Sequence, residues 1–180
     1  QSREATNPWY DAVYDHVEKA MDDFAAATGR QYKPFEFYGH PQAERVIVIM
    51  GSAIGTCEEV VDELLSRGEK VGVLKVRLYR PFSAAHLLAA LPESARAVAV
   101  LDRTKEPGAH AEPLYLDVMT ALAEAFNRGE RETLPRTIGG RYGLSSKEFG
   151  PECVLAIFHE LQAAQPKPRF TVGIYDDVTN

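Results

Sequence analysis

Two cysteines in 180 residues, Cys57 and Cys153, are too few and too far apart for much thiol chemistry. They form no Cys-x-x-Cys pair, which excludes an iron–sulfur cluster or a zinc site made from this chain's thiols alone. Such sparse cysteine fits a reduced, cytoplasmic setting. Long apolar runs are missing too: none approaches the ~20 residues of a membrane span, so no membrane partner is expected. Positive charge is outnumbered, 20 Lys and Arg against 26 Asp and Glu. The formal net charge is −6, which leaves no broad basic face for nucleic acid. The five histidines (His16, His40, His86, His110, His159) fall singly, without the i,i+4 spacing of a metal site. No Gly-x-Ser-x-Gly elbow is present, which removes an α/β-hydrolase. The start, Gln1-Ser2-Arg3-Glu4, does not read as a signal peptide. The missing initiator Met and abrupt ends predict a fragment of something longer.

What is present is an alternation of strands and helices in one large domain with an appendage. Pro8 suits a first helical turn. Trp9, Val13, Val17 and Phe24 recur at helical spacing, with Tyr10, Tyr14 and Met21 beside them. This helix, 8–28, is predicted to pack hard on the domain behind it or on a neighbouring one. Residues 32–41, aromatic with Pro34 and Gly39, read as an extended connection. The chain therefore divides into 1–41, a helix and connection from a preceding domain, and 42–180, the α/β domain proper. Strands are predicted at 46–50, 71–78, 98–101, 137–142 and 170–174. The first is an uncharged β-branched run of the kind buried on both faces of a sheet. Helices are predicted from Thr56 to the stop at Gly68, from an N-cap at Ser83, from Pro113 to about Arg128, and through Val154, Ile157, Phe158 and Leu161. Ser145-Ser146-Lys147-Glu148 offers a capping box for the last. Strands joined by such helices require crossovers and a mainly parallel sheet, hence a three-layer α/β/α architecture.

The most informative stretch lies after the strand at 98–101. Asp102, Arg103, Thr104, Lys105 and Glu106 precede a Pro-Gly turn and His110. In an open parallel sheet, ligands and partners meet the protein past the carboxyl ends of the strands. Arg77, Arg103 and Lys105 are predicted to share one crevice there, a small basic spot suited to a carboxylate, a phosphate or an acidic surface of another domain. Arg141, Tyr142 and Lys147 extend it. The plainer alternative is a solvated connection. The turn carrying Gly51, Ser52, Gly55 and Thr56 joins a strand to a helix N-terminus, the usual place for a phosphate cradle. It lacks the Gly-Lys-Ser/Thr of a P-loop and the dinucleotide spacing. Glu58 and Glu59 would repel an anion. A tight turn in which Ser52 and Thr56 satisfy helix-start N–H groups is favoured. Cys57 has no neighbouring base and reads as a small buried hydrophobe. No catalytic residue and no metal ligand are assigned.

Several long motifs carry a family resemblance. These are 72–82 (Gly72-Val73-Leu74-Lys75-Val76-Arg77-Leu78-Tyr79-Arg80-Pro81-Phe82), Asp102 to Ala109, Glu112-Pro113-Leu114-Tyr115-Leu116-Asp117-Val118, Ile138 to Phe149 and Phe170-Thr171-Val172-Gly173-Ile174. The likeness runs from Arg3-Glu4-Ala5-Thr6-Asn7-Pro8 to Asp176-Asp177-Val178-Thr179, essentially the whole chain. It resembles the pyruvate:ferredoxin (flavodoxin) oxidoreductase family, in its second domain, which is similar to the C-terminal domain of transketolases. The resemblance implies a parent that converts pyruvate to acetyl-CoA and CO₂ with thiamine diphosphate, Mg²⁺, [4Fe-4S] clusters and coenzyme A, and passes electrons to ferredoxin or flavodoxin. It implies no complete active site here: this chain carries no Gly-Asp-Gly…Asn-Asn diphosphate motif and no cysteine set. The domain is then expected to bind no cofactor alone, to be inactive in isolation, and to contact neighbouring domains of the same polypeptide and a second subunit. Ala111 stands where the family usually carries Gly, which bears on the loop backbone because Ala tolerates positive φ poorly. Two other readings are a pyruvate-inactive domain of a sulfite reductase flavoprotein and a stand-alone phosphate- or coenzyme-A-binding domain.

Overall fold

Val46, Ile47, Val48 and Ile49 are all fully buried, because their strand, β2 (Arg45–Met50), runs through the middle of a six-stranded sheet. The computed structural model describes residues 2–174. Strand β3 (Val71–Val76) and β4 (Ala97–Asp102) flank β2 in parallel, and β5 (Arg136–Arg141) and β6 (Arg169–Thr171) continue the parallel run. The order is completed by β1 (Phe35–Gly39), antiparallel on the outer side of β3.

Side chains that alternate along a strand point to opposite faces, and both faces are covered. Val46, Val48, Leu74, Val98 and Val100 pack under α4 (Ala84–Ala90) and α5 (Pro113–Asn127) through Leu87, Leu114, Val118 and Leu122. Ile47, Ile49, Val73, Ala99 and Leu101 pack under α3 (Ile54–Ser66) and α6 (Pro151–Gln162) through Cys57, Val61, Ile157 and Phe158. The result is the three-layer α/β/α arrangement expected from the sequence.

Four local expectations are corrected. Residues 32–41 are not merely a connection, since Phe35 through Gly39 pair with Val76 through Gly72 as a sheet strand. The alternation Phe35-Glu36-Phe37-Tyr38 is a strand signal that Pro34 and Gly39 obscured. The strand at 71–78 stops at Val76, because the N–H groups of Arg77 and Leu78 both turn to the carbonyl of Pro34 (2.8 and 3.2 Å). The capping box at Ser145 does not form: Ser145 and Ser146 adopt positive φ in a single 3-10 turn, and α6 starts at Pro151 after Gly150. A helix begun at Ser145 would bury Pro151 in its interior, where Pro lacks the N–H and clashes with the preceding turn; at the first helical position neither matters. The last strand is also shorter than 170–174, and the family-like residues Asp176 to Thr179 lie outside the described residues. Ser83 does cap α4, accepting from the His86 N–H at 3.4 Å. Ala111 is buried, and Ser145 and Ser146 are the only non-glycine residues with positive φ among those described. The loop therefore does not need a glycine there.

Helices α1 (Asn7–Asp11) and α2 (Val13–Thr28) stand apart from this pattern. Tyr14 is the single buried residue of α2; its ring stacks on His86 with centroids 4.3 Å apart. Gly29, at φ 75°, ends the helix as expected.

Beneath α3, Lys75 occupies an inward position of β3 with its side chain 4% exposed. Its ammonium reaches Glu36 of β1 at 2.5 Å and Glu58 of α3 at 2.8 Å, and Glu36 also pairs with Arg77. Cys57 is fully buried nearby, and burial, reinforced by the charge of Glu58, pushes its thiol up to about 12. Alkylation of Cys57 by iodoacetamide at pH 8 is expected to run roughly a thousandfold slower in the native chain than in urea, since only the thiolate reacts. Peptide mass spectrometry reads this directly. Equal rates would show that the thiol is open to solvent.

Candidate functional site

The helix after β2 leaves to one face of the sheet and the helix after β4 leaves to the other. Between the carboxyl ends of these neighbouring strands the winding reverses, which is where open α/β sheets form a crevice. Here it measures about 230 Å³ and is lined by Ser52, Ala53, Thr56, Arg103, Tyr142 and Lys147, among others. The fold thus brings together the turn after β2, the first residue of the charged loop and the residues following β5. Tyr142 closes the floor, its hydroxyl donating to the Met50 carbonyl at 2.5 Å, and burial pushes that phenol up. Arg103 lies across the mouth, its Nε donating to the Gly143 carbonyl at 3.4 Å. A Cβ on Gly143 would sit 2.9 Å from that Nε, and the backbone there has φ +60°. Glycine at 143 therefore serves both the turn and the arginine.

Ser52 and Thr56 do not cap α3. Its N-cap is Ala53, with no side-chain hydrogen bond, so the expectation that these hydroxyls satisfy helix-start N–H groups is corrected. Gly51 adopts φ +88°, the conformation that lets the chain turn sharply out of β2. Gly55 falls within the first turn of α3.

The charged loop is pinned at both ends by buried carboxylates. Asp102, 3% exposed, accepts from the N–H groups of Leu114 (2.9 Å) and Tyr115 (3.2 Å), capping α5 from twelve residues upstream. Burial raises its pKa, outweighing those two N–H groups. Glu112 lies at the loop's far end, 2.7 Å from Arg141 Nε and 3.8 Å from Lys105 Nζ. Burial alone would raise Glu112, but Arg141, the Glu106 backbone and Lys105 together hold it below its ordinary value. Between these anchors Arg103, Lys105, Glu106 and His110 are exposed. Thr104 Oγ1 donates to Glu106 Oε1 at 3.4 Å, and Lys105 Nζ to the Glu106 carbonyl at 3.2 Å.

Arg77 does not join this group. It sits past β3, two strands from β4, paired with Glu36 and with its guanidinium 4.9 Å from the centre of the Tyr32 ring. Asp102 and Glu112 carry the loop's architecture, and neither role was legible in the sequence. Asp102 read as the first loop residue and Glu112 as a helix start, because the N–H groups that Asp102 caps lie twelve and thirteen residues on and the Arg141 that holds Glu112 twenty-nine.

The donor set does not fit the implied cofactors. The two thiols are buried on different helices, α3 and α6, and are fewer than the four a [4Fe-4S] cluster takes. Among the described residues no group of three His, Cys, Asp or Glu is placed to hold a metal. A crevice of about 230 Å³ is also below the ~300–1,000 Å³ usual for an organic ligand. What the arrangement provides is a stiff loop that presents cations at the rim of the sheet.

Comparison with known proteins follows the same lines. Residues 43–144 match the family profile described as pyruvate:ferredoxin oxidoreductase core domain II. A probable pyruvate-flavodoxin oxidoreductase of Escherichia coli (strain K12) is 87% identical over 180 residues, which is all of this chain and 15% of that protein. The pyruvate-flavodoxin oxidoreductase of Rhodospirillum rubrum is 61% identical and the pyruvate:ferredoxin oxidoreductase of Moorella thermoacetica 55%, each again with 15% of its length covered. The chain thus spans about 15% of the length of these relatives.

Proposed function

The chain belongs to the pyruvate:ferredoxin oxidoreductase core domain II family, and from that premise we propose that it is one module of a much longer oxidoreductase. The parent's activity is the oxidative decarboxylation of pyruvate to acetyl-CoA, with electrons passed to flavodoxin or ferredoxin. Thiamine diphosphate, Mg²⁺, [4Fe-4S] clusters and coenzyme A are held by other parts of that polypeptide, since the residues here do not fit them. The setting is cytoplasmic. Division of the chain at 41/42 belongs to the same reading, with β1 carrying the earlier segment onto the sheet.

The module's own task is contact. Arg103, Thr104, Lys105 and Glu106 dock on an acidic surface of a neighbouring module or of the second subunit and set how the two fit. Charges across such a contact fix register and exclude wrong geometries more than they add affinity. The observation that carries this reading is the loop's construction: exposed cations on a backbone fastened at each end by a buried carboxylate. A loop that only reverses the chain needs no such fastening. The names of the relatives favour the pyruvate parent over a sulfite reductase flavoprotein.

Replacing Arg103 and Lys105 together by Ala in the full-length enzyme is expected to lower pyruvate-dependent flavodoxin reduction roughly tenfold, about 1.4 kcal/mol across the contact. The melting temperature should stay close to wild type, because both side chains are exposed. Unchanged turnover with unchanged subunit mass would defeat the docking role.

A further inference from the structure

The first helices carry an apolar stripe that this domain covers only in part, Val13 and Val17 being half-buried and Trp9, Ala20 and Phe24 exposed. Trp9, Val13, Val17, Ala20 and Phe24 fall three to four residues apart, and Trp9 is 78% exposed while Phe24 is 38% exposed. Beside the stripe runs a groove of about 390 Å³ between α2 and Tyr32, lined by Val17, Ala20, Met21, Phe24, Tyr32 and Arg77. Its walls are almost wholly apolar, and its lip carries two guanidinium groups, of which Arg77 is paired with Glu36 and Arg30 is not. The Arg30 guanidinium stands 5.0 Å from the Phe24 ring centre, and that of Arg77 stands 4.9 Å from the Tyr32 ring centre. An apolar groove beside an exposed apolar stripe is the mark of an interface rather than of solvent.

We propose that this groove is filled by a segment of the same longer polypeptide, lying outside the 180 residues, that presents apolar side chains flanked by carboxylates. The inference rests on the reading of the chain as one module, and concerns a face separate from the Arg103 loop. Two observations choose the occupant. The chain makes up 15% of its relatives' length, so most of the polypeptide is available to cover it. Charge argues against a second copy: a two-fold contact sets a patch against itself, which would place Arg30 of one copy beside that of the other, while Arg77 is already paired with Glu36. Carboxylates on another module meet the same lip favourably. Aromatic rings stacked under guanidinium groups also provide flat, stiff walls on which a partner's side chains gain contact at little entropic cost.

The test places a benzophenone amino acid at position 24 of the full-length protein and irradiates it. The expected product has the mass of one polypeptide and joins position 24 to a peptide from outside residues 1–180 that contains Asp or Glu. A covalent dimer linked through residues 1–180 of two copies would overturn the proposal, as would a cross-link confined to residues 1–180 or none at all. Hydrogen exchange gives a second reading: Phe24→Asp is expected to speed exchange of the α2 amides at least tenfold in the full-length protein, and no change would count against the contact. Pyruvate-dependent flavodoxin reduction by the same unmodified preparation reports separately on the parent's activity. A cross-link of the expected kind without that activity would sink the enzymatic reading and leave the contact standing.

Discussion

Asp102→Ala is expected to lower the unfolding free energy of the chain by roughly 3 kcal/mol, because two buried N–H groups each lose a charged acceptor worth about 1.5–3 kcal/mol. For a chain of this length that corresponds to a fall in melting temperature of about 6–12 °C. The two donors, on Leu114 and Tyr115, belong to the buried first turn of α5 and have no carbonyl of their own helix to reach. Asp102→Asn separates the contributions. Its one carbonyl oxygen can accept from a single N–H while the amide NH₂ faces the other donor, so about half of the loss or more is expected.

The pH dependence of this site has a definite sign. Burial raises Asp102 above its ordinary value, so folding favours its protonated form. The protonation-linked part of its contribution is full below about pH 4 and is lost as pH rises through the folded pKa, on top of the two N–H bonds that the ionised carboxylate accepts. Glu112 and Glu36 behave oppositely: both are held below their ordinary value by neighbouring cations, against the effect of burial. Their stabilisation is present above about pH 4.5 and disappears as pH falls through the folded pKa. Urea titrations of Asp102→Asn against wild type between pH 3 and 7 check this, with the variant expected to lose least, relative to wild type, at the high end. A deficit that grows with pH would refute the assignment.

Lys75→Met is expected to cost about 3 kcal/mol at pH 7, since taking one partner from a buried ion cluster leaves the others uncompensated. Glu36 and Glu58 would then face each other beneath α3 with only Arg77 nearby, and Arg77 touches Glu36 alone. The loss should shrink as pH falls from 7 toward 4, because Glu36, held below its ordinary value partly by Lys75, takes up a proton more readily once that cation is gone. Chemical denaturation at the two pH values decides the matter. A deficit that does not shrink with acid would mean that Lys75 acts through packing of its stem and not through its charge. The expected consequence in the fold is loosening of β1, which Lys75 ties to α3 from the neighbouring strand.

How much of this could be read beforehand differs from element to element. Val46 to Ile49 announce a central strand because nothing but a two-sided interior suits four consecutive apolar residues. Leu114, Val118 and Leu122 announce a helix by their spacing alone. Phe35 to Tyr38 were legible in principle, since aromatic residues alternating with polar ones mark a strand with two different faces. Pro34 and Gly39 weighed against it, though at a strand's boundaries neither breaks a ladder. The capping box at Ser145 is a local pattern overruled by Pro151, whose tolerance of one helical position decides where α6 begins.

The site divides in the same way. That a charged loop follows β4 and that it lies at the carboxyl edge of the sheet are consequences of residue order, because a parallel strand leaves only one end for the loop that follows it. Layering and the parallel sense of five strands are likewise dictated by which residues occur and at what period. Partnerships across the sheet are of another kind. That Asp102 caps a helix twelve residues on, that Glu112 holds Arg141, that Arg77 stays with Glu36 away from Arg103, and that Trp9 faces outward all depend on distances between strands and helices. Periodicity reports which face a residue occupies, and only the packed chain decides what stands opposite that face.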